Sequence, residues 1–229
     1  MKVKICGITR PEDVNKSESC ADLVGFINIE RSKRFLKINQ INELLASMKN
    51  KKMAVLVIEP EDLEDAIMKI KKTGIKTVQL HSLSRSQIRY LKWIDSYKKH
   101  GFDDELQVIR AVGISDGGVT EDKAREIKEF AEVCDALLLD YEVKGRIGGT
   151  GKQIPLDIAL KAAETAKNVN NTIKIFLAGG MNAERLKNEK NVLDNIFDYV
   201  DVNSGVEDLP GVKNPDKIEY LCELVTVEN

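Results

Sequence analysis

Two side chains of this chain, the thiol of Cys6 and the carboxyl of Asp140, are of types and in places suited to proton transfer. Cys6 closes the run Lys4-Ile5-Cys6 just before Gly7, and Asp140 closes Leu137-Leu138-Leu139. Each is predicted at the C-terminal tip of a buried strand, the end at which parallel α/β folds gather their functional groups. A free thiol titrates at about 8.5 and is only a few per cent ionised at neutrality. A nearby cation or helix N-terminus raises that fraction, and the thiolate then serves as a base or as a nucleophile. A carboxyl buried behind three leucines is pushed toward its protonated, acid form. The competing reading of a cysteine is a small buried hydrophobe. It suits Cys20, Cys134 and Cys222, whereas the turn at Gly7 presents Cys6 at the end of its strand.

Facing a common substrate requires that both strands belong to one sheet. Apolar runs occur at residues 3–6, 23–28, 53–58, 77–80, 107–112, 136–140, 173–178 and 199–202. Several are apolar at consecutive rather than alternating positions, as expected of parallel strands buried on both faces. Amphipathic segments lie between them. Thr9-Arg10-Pro11-Glu12 has the form of a capping box with proline in the first turn. Pro60 precedes an acidic helix start, Thr73-Gly74 supplies a stop, and Thr120-Glu121-Asp122, Pro155 and Asn214-Pro215-Asp216 open further helices. Eight βα units predict a (β/α)8 TIM barrel, a fold typically of ~250 residues, with residues 1–229 as one domain. An open doubly wound sheet would need a second domain, and no linker divides the chain.

Charge is nearly balanced, with 35 Lys and Arg against 37 Asp and Glu. This argues against nucleic acid as a partner, which needs an electropositive surface. No apolar run approaches the roughly 18–20 residues of a membrane helix, and the first residues lack a secretory leader. The four cysteines are scattered and there are only two histidines. The chain is therefore expected in the cytoplasm with reduced thiols and no His-based metal site.

The loops after the seventh and eighth strands are where barrels frequently bind phosphate. Here they carry Gly179 and Gly180, and Asn203, Ser204 and Gly205. Glycines let backbone N–H groups approach an anion closely. After the sixth strand, Gly145-Arg146-Ile147-Gly148-Gly149-Thr150-Gly151-Lys152 departs from the Walker A pattern at Arg146 and Gln153. It suits a loop that closes over substrate, with Gly148 and Gly149 as pivots and Arg146 or Lys152 meeting an anion. After the second strand, Arg34 in Arg31-Ser32-Lys33-Arg34-Phe35 is a candidate to grip a carboxylate, with Phe35 shaping an aromatic pocket. His81, next after the fourth strand, is a further candidate.

Taken in order, Lys4-Ile5-Cys6-Gly7-Ile8-Thr9, Val24-Gly25-Phe26, Ser32-Lys33-Arg34-Phe35, Gln79-Leu80-His81, Leu138-Leu139-Asp140, Gly148 to Lys152, Ala178-Gly179-Gly180 and Asp201-Val202-Asn203-Ser204-Gly205-Val206-Glu207 resemble the phosphoribosylanthranilate isomerase family. The resemblance runs over nearly the whole chain. It implies a TIM barrel without metal or organic cofactor. It also implies an Amadori rearrangement of N-(5-phosphoribosyl)anthranilate to 1-(o-carboxyphenylamino)-1-deoxyribulose 5-phosphate in tryptophan biosynthesis. By this resemblance Cys6 is the general base, Asp140 the general acid and Arg34 the partner of the anthranilate carboxylate. The glycine-bearing loops after strands seven and eight then hold the phosphate. The state implied is a monomer or homodimer. The chain departs from the family at Gln153-Ile154-Pro155-Leu156, at Asn203 and Tyr141, and in Ile27-Asn28-Ile29-Glu30. The rivals are an isomerase of a related aminoaldose phosphate, which resembles this chain but carries aspartate at the position of Cys6, and a non-catalytic phosphosugar-binding barrel.

Overall fold

The computed structural model describes residues 1–97, 105–143, 145–147 and 151–226. Eight strands form the sheet that organises it: β1 (Lys2–Cys6), β2 (Leu23–Asn28), β3 (Ala54–Ile58), β4 (Thr77–Leu80), β5 (Gln107–Ile114), β6 (Ala136–Val143), β7 (Lys174–Leu177) and β8 (Tyr199–Val202). Every neighbouring pair is parallel, from β1–β2 to β7–β8, and β8 pairs with β1 to close a barrel. The helices are α1 (Pro11–Glu18), α2 (Ile38–Ser47), α3 (Leu63–Thr73), α4 (Arg85–Tyr97), α5 (Glu121–Ala131), α6 (Leu156–Lys167), α7 (Ala183–Ile196) and α8 (Pro215–Thr226), one after each strand. None of the described helices is long and apolar enough to cross a membrane.

Alternation along the strands divides the apolar residues between two cores. Outward positions such as Ile5, Val24, Phe26, Leu56 and Leu139 join one continuous cluster with the helices. Inward positions such as Ile27, Val55, Val57, Ile109, Ala111, Leu138 and Phe176 fill the barrel. Both faces are thus buried, which is why the strands appear in the sequence as unbroken apolar runs. Phe176 and Tyr199 stack with centroids 4.2 Å apart. They lie toward the end of the barrel opposite Cys6.

Most helix boundaries follow local chemistry. Asp62, Thr120 and Asn182 cap α3, α5 and α7 by accepting from the N–H three residues on. Gly74 ends α3 in the left-handed region at φ 71°. The capping box at Thr9 does not form. Arg10 is the N-cap of α1, and the Thr9 hydroxyl donates instead to the Gly211 carbonyl at 2.5 Å, tying the first βα unit to the last.

Strand lengths also differ from expectation. Met53 ends a short 3-10 turn and β3 begins at Ala54, while β5 runs two residues past Val112. The largest difference is in β6. It does not end at Asp140 but continues to Val143, because Arg146–Ile147 folds back and pairs antiparallel with Glu142 and Val143. A second small hairpin, Glu207–Leu209 with Val212–Lys213, follows β8.

Candidate active site

Cys6 points into the mouth of the barrel. Gly7 turns the chain at φ 73°, and the N–H groups of Gly7 and Ile8 both donate to the Gly25 carbonyl, at 2.9 and 3.1 Å. Gly25 is the cross-strand partner of Cys6, and a Cβ on it would stand only 2.8 Å from the sulfur. The missing side chain at Gly25 is the space the thiol occupies.

Asp140 faces the same space from β6, and its Oδ1 accepts the Tyr141 N–H at 2.7 Å. Burial pushes this carboxyl up to about 7, and the charge of Asp201 adds to the shift against the Tyr141 N–H and Lys4. A carboxyl in that range is half protonated at neutrality and able to donate. Burial also pushes the Cys6 thiol above its ordinary value, while the cations of Lys4 and Lys213 pull it back and Asp201 pushes it up.

Below the two lies a polar chain that the sequence did not suggest. Lys4 is fully buried, two residues before Cys6 on the same inward face of β1. Its ammonium donates to Asp201 at 2.7 Å and to the Gln79 carbonyl oxygen at 2.9 Å. Burial opposes that charge, but Asp201 and Cys6 outweigh it and Lys4 is held more basic than usual. Since the Gln79 oxygen is occupied by Lys4, its NH2 faces His81 Nε2 at 3.0 Å and donates to it. His81 therefore carries its proton on Nδ1, which is buried and has no hydrogen-bond partner among the described residues. Burial first, then the nearby Arg110, drive the imidazole down to about 3, so it is neutral at any working pH.

Arg34 reaches the pocket already paired. Its Nε donates to Glu207 Oε1 at 3.1 Å and its Nη2 to Oε2. Lys213 donates to the same Oε1 at 2.9 Å and to Asn203 Oδ1 at 2.9 Å. Burial works against the Glu207 charge, yet the two cations hold the carboxyl below its usual range. Two buried or half-buried cations thus share one carboxylate, leaving a unit of positive charge to meet an anion. Phe35 is half-buried beside Ile27 and does not line the cavity.

The opposite rim is backbone. Gly179 and Gly180 both lie at positive φ, 76° and 60°, and the Gly180 carbonyl accepts from Gln153 at 2.9 Å. Gly205 packs so closely on the Met181 carbonyl that a Cβ would lie 2.1 Å from its oxygen, which clamps the loops after β7 and β8 together. Cys6, Asp140, Arg34, His81, Gly179, Gly180, Asn203 and Ser204 all line one cavity of about 900 Å³, whereas Gly205 does not line it. Gly148 and Gly149 lie outside the described residues. Lys152 projects its ammonium over the Tyr141 ring, 5.4 Å from the centroid.

A family model described as N-(5'phosphoribosyl)anthranilate (PRA) isomerase matches residues 3–223. Curated relatives named N-(5'-phosphoribosyl)anthranilate isomerase include one from Methanothermobacter marburgensis, 35% identical over 98% of this chain and 94% of its own length. That from Methanothermobacter thermautotrophicus is 34% identical over 96% of this chain and 87% of its own. Among solved structures, the phosphoribosyl anthranilate isomerase of Thermus thermophilus superposes with a TM-score of 0.76 at 25% identity, covering 98% of both chains. Another isomerase of this name, solved with reduced 1-(o-carboxyphenylamino)-1-deoxyribulose 5-phosphate, matches at 0.72, again at 25% identity and 98% of both chains.

Proposed function

Since the chain belongs to the phosphoribosylanthranilate isomerase family, we propose that Asp140 is the acid and Cys6 the base of its reaction. That reaction is the aldose-to-ketose isomerisation of N-(5'-phosphoribosyl)anthranilate, a step of tryptophan biosynthesis. Protonated Asp140 donates to the furanose ring oxygen, and the C1–O bond breaks as the anilino nitrogen lone pair forms an iminium. Thiolate Cys6 then removes the C2 proton to give an enolamine, which ketonises as its C2 hydroxyl proton leaves and C1 takes up a proton. One proton leaves Asp140 and one arrives on Cys6, so the substrate is isomerised without gain or loss of atoms.

The observation that carries this reading is the carboxyl at about 7 sharing a cavity with a thiol flanked by two ammonium groups. The surplus positive charge of Arg34 and Lys213 supports an anthranilate carboxylate at that side. The paired glycine loops, Gly179-Gly180 and Asn203-Ser204-Gly205, support a phosphate at the other. His81 lines the cavity and is assigned to substrate binding. Lys152 is assigned with Gly148 and Gly149 to closure over the substrate as part of this proposal. Four free thiols support a cytoplasmic setting. A monomer or homodimer is the proposed state, a structural neighbour from Thermotoga maritima being described as monomers generated from a dimeric isomerase.

Purified protein is expected to convert N-(5'-phosphoribosyl)anthranilate to the deoxyribulose product without added metal. A folded protein that turns over only another aminoaldose phosphate would overturn the substrate assignment. The fit between Gly25 and Cys6 gives a sharper test of the base. Gly25→Ala places a methyl group against the sulfur and is expected to lower kcat by up to about 10²-fold. KM and the melting temperature should change little, and an unchanged kcat would show that the position of Sγ is unimportant.

A further inference from the structure

The buried ion pair beneath the cavity is directional. Around the barrel the order is β6, β7, β8, β1, so Asp140, Asp201 and the Lys4–Cys6 pair lie on one arc. Asp201 is the register partner of Lys4. Asp201 lines the cavity together with Asp140 and Cys6, and Lys4 lies two residues before Cys6 on the inward face of β1. Two of the three ammonium protons are used by Asp201 and Gln79, at 2.7 and 2.9 Å, and the charge of a Cys6 thiolate adds to that of Asp201 in favouring the ammonium. We propose that Lys4 and Asp201 are positioning residues whose oriented charge pair stabilises Cys6 as the thiolate and Asp140 as the acid at the same time. This rests on the acid and base roles assigned above and names the device that sets their protonation.

The charged groups around each site support the two directions. At Cys6 the attraction of Lys4 ranks ahead of the repulsion from Asp201, with Lys213 adding to Lys4. At Asp140 the order is reversed, and the repulsion from Asp201 exceeds the attraction of Lys4. His81, on the β4 side, is neutral and adds no charge. The pair therefore lowers the thiol and raises the carboxyl, bringing the two titrations together. This matters because the thiol still titrates above the carboxyl. Below about 7 both groups are protonated and no base is present. Above the thiol titration both are ionised and no acid is present. Between the limits one proton is shared, and the productive arrangement, Asp140 protonated and Cys6 ionised, is its minor tautomer. Each unit by which the limits separate lowers that tautomer tenfold.

The test is the double variant Lys4→Met/Asp201→Asn, which removes the pair without leaving either charge buried alone. In the parent protein kcat/KM against pH is expected to be a bell with its acid limb near 7. In the double variant the acid limb moves down, the basic limb moves up, and the plateau falls tenfold for each unit of widening. Direct titration gives the same result without catalysis, with the Asp140 carboxyl followed by carbon-13 shift and the Cys6 thiolate by alkylation rate. Asp201→Asn alone should lower both titrations. A parent carboxyl titrating near 4, or a carboxyl unmoved by Asp201→Asn, overturns the proposal, as does a folded double variant with an unwidened bell. Failure of the acid and base roles themselves would appear differently, as full activity in Cys6→Ala.

Discussion

Cys6→Ala and Asp140→Asn are each expected to cut kcat by ~10²–10⁴-fold, the usual contribution of a general acid or base. Among the described residues of the cavity, none replaces them. His81 is neutral down to about 3 and has no proton to give as an acid at working pH. Asp201 is held by Lys4 at 2.7 Å and is already committed as its counter-charge. An asparagine in place of Asp140 keeps the shape and can donate a hydrogen bond, but it cannot transfer a proton to the leaving ring oxygen. The substrate ends are assigned to groups other than the acid and the base, Arg34 on one side and the loops at Gly179 and Ser204 on the other. KM should therefore move by much less than kcat. Because the two residues act on successive steps of one proton circuit, the double variant should be little slower than the slower single variant. Steady-state kinetics on folded variants decides the matter, and a Cys6→Ala protein with more than a tenth of parent kcat would remove Cys6 from the mechanism.

The parts of this architecture visible in the sequence are those set by short-range patterning. Strands buried on both faces leave unbroken apolar runs, and helices capped by Asp62, Thr120 or Asn182 announce their starts locally. Cys6 and Asp140 were visible because each interrupts or ends such a run with a titratable group. The extension of β6 past Asp140 was not visible, since Glu142 and Val143 become strand only through pairing with Arg146–Ile147. Arg34 was legible as a cation near the mouth, but its partner Glu207 arrives from the hairpin after β8. Lys4 is the most instructive case. A lysine between Val3 and Ile5 looks like the solvent face of an alternating strand, and closure of the barrel turns that face inward. The available signal was its coincidence with Asp201, a second charge inside an apolar run. Only the β8–β1 pairing makes them partners.

The same carboxyl that serves as an acid weakens the fold, and this gives a second large effect of opposite sign. Asp140 titrates from 3.8 in an unfolded chain to about 7 in the folded one. The folded protein thus holds the proton more tightly. Its contribution to stability is fully present below pH ~3.8, is lost as pH rises through the window to 7, and stays lost above it. A shift of that size corresponds to about 4 kcal/mol at 1.36 kcal/mol per unit. Asparagine at this position carries no charge at any pH, so Asp140→Asn escapes the loss. Relative to the parent, the variant should therefore gain roughly 4 kcal/mol between pH 4 and pH 8, which makes the inactive protein the more stable one at neutrality. Taking the difference between variant and parent cancels the opposite trend of carboxylates such as Glu207, which the two proteins share. Urea unfolding of both proteins across this range measures it. A difference that is flat with pH would mean that Asp140 is ionised at its ordinary value, and with that the acid would lose the property that lets it donate at pH 7.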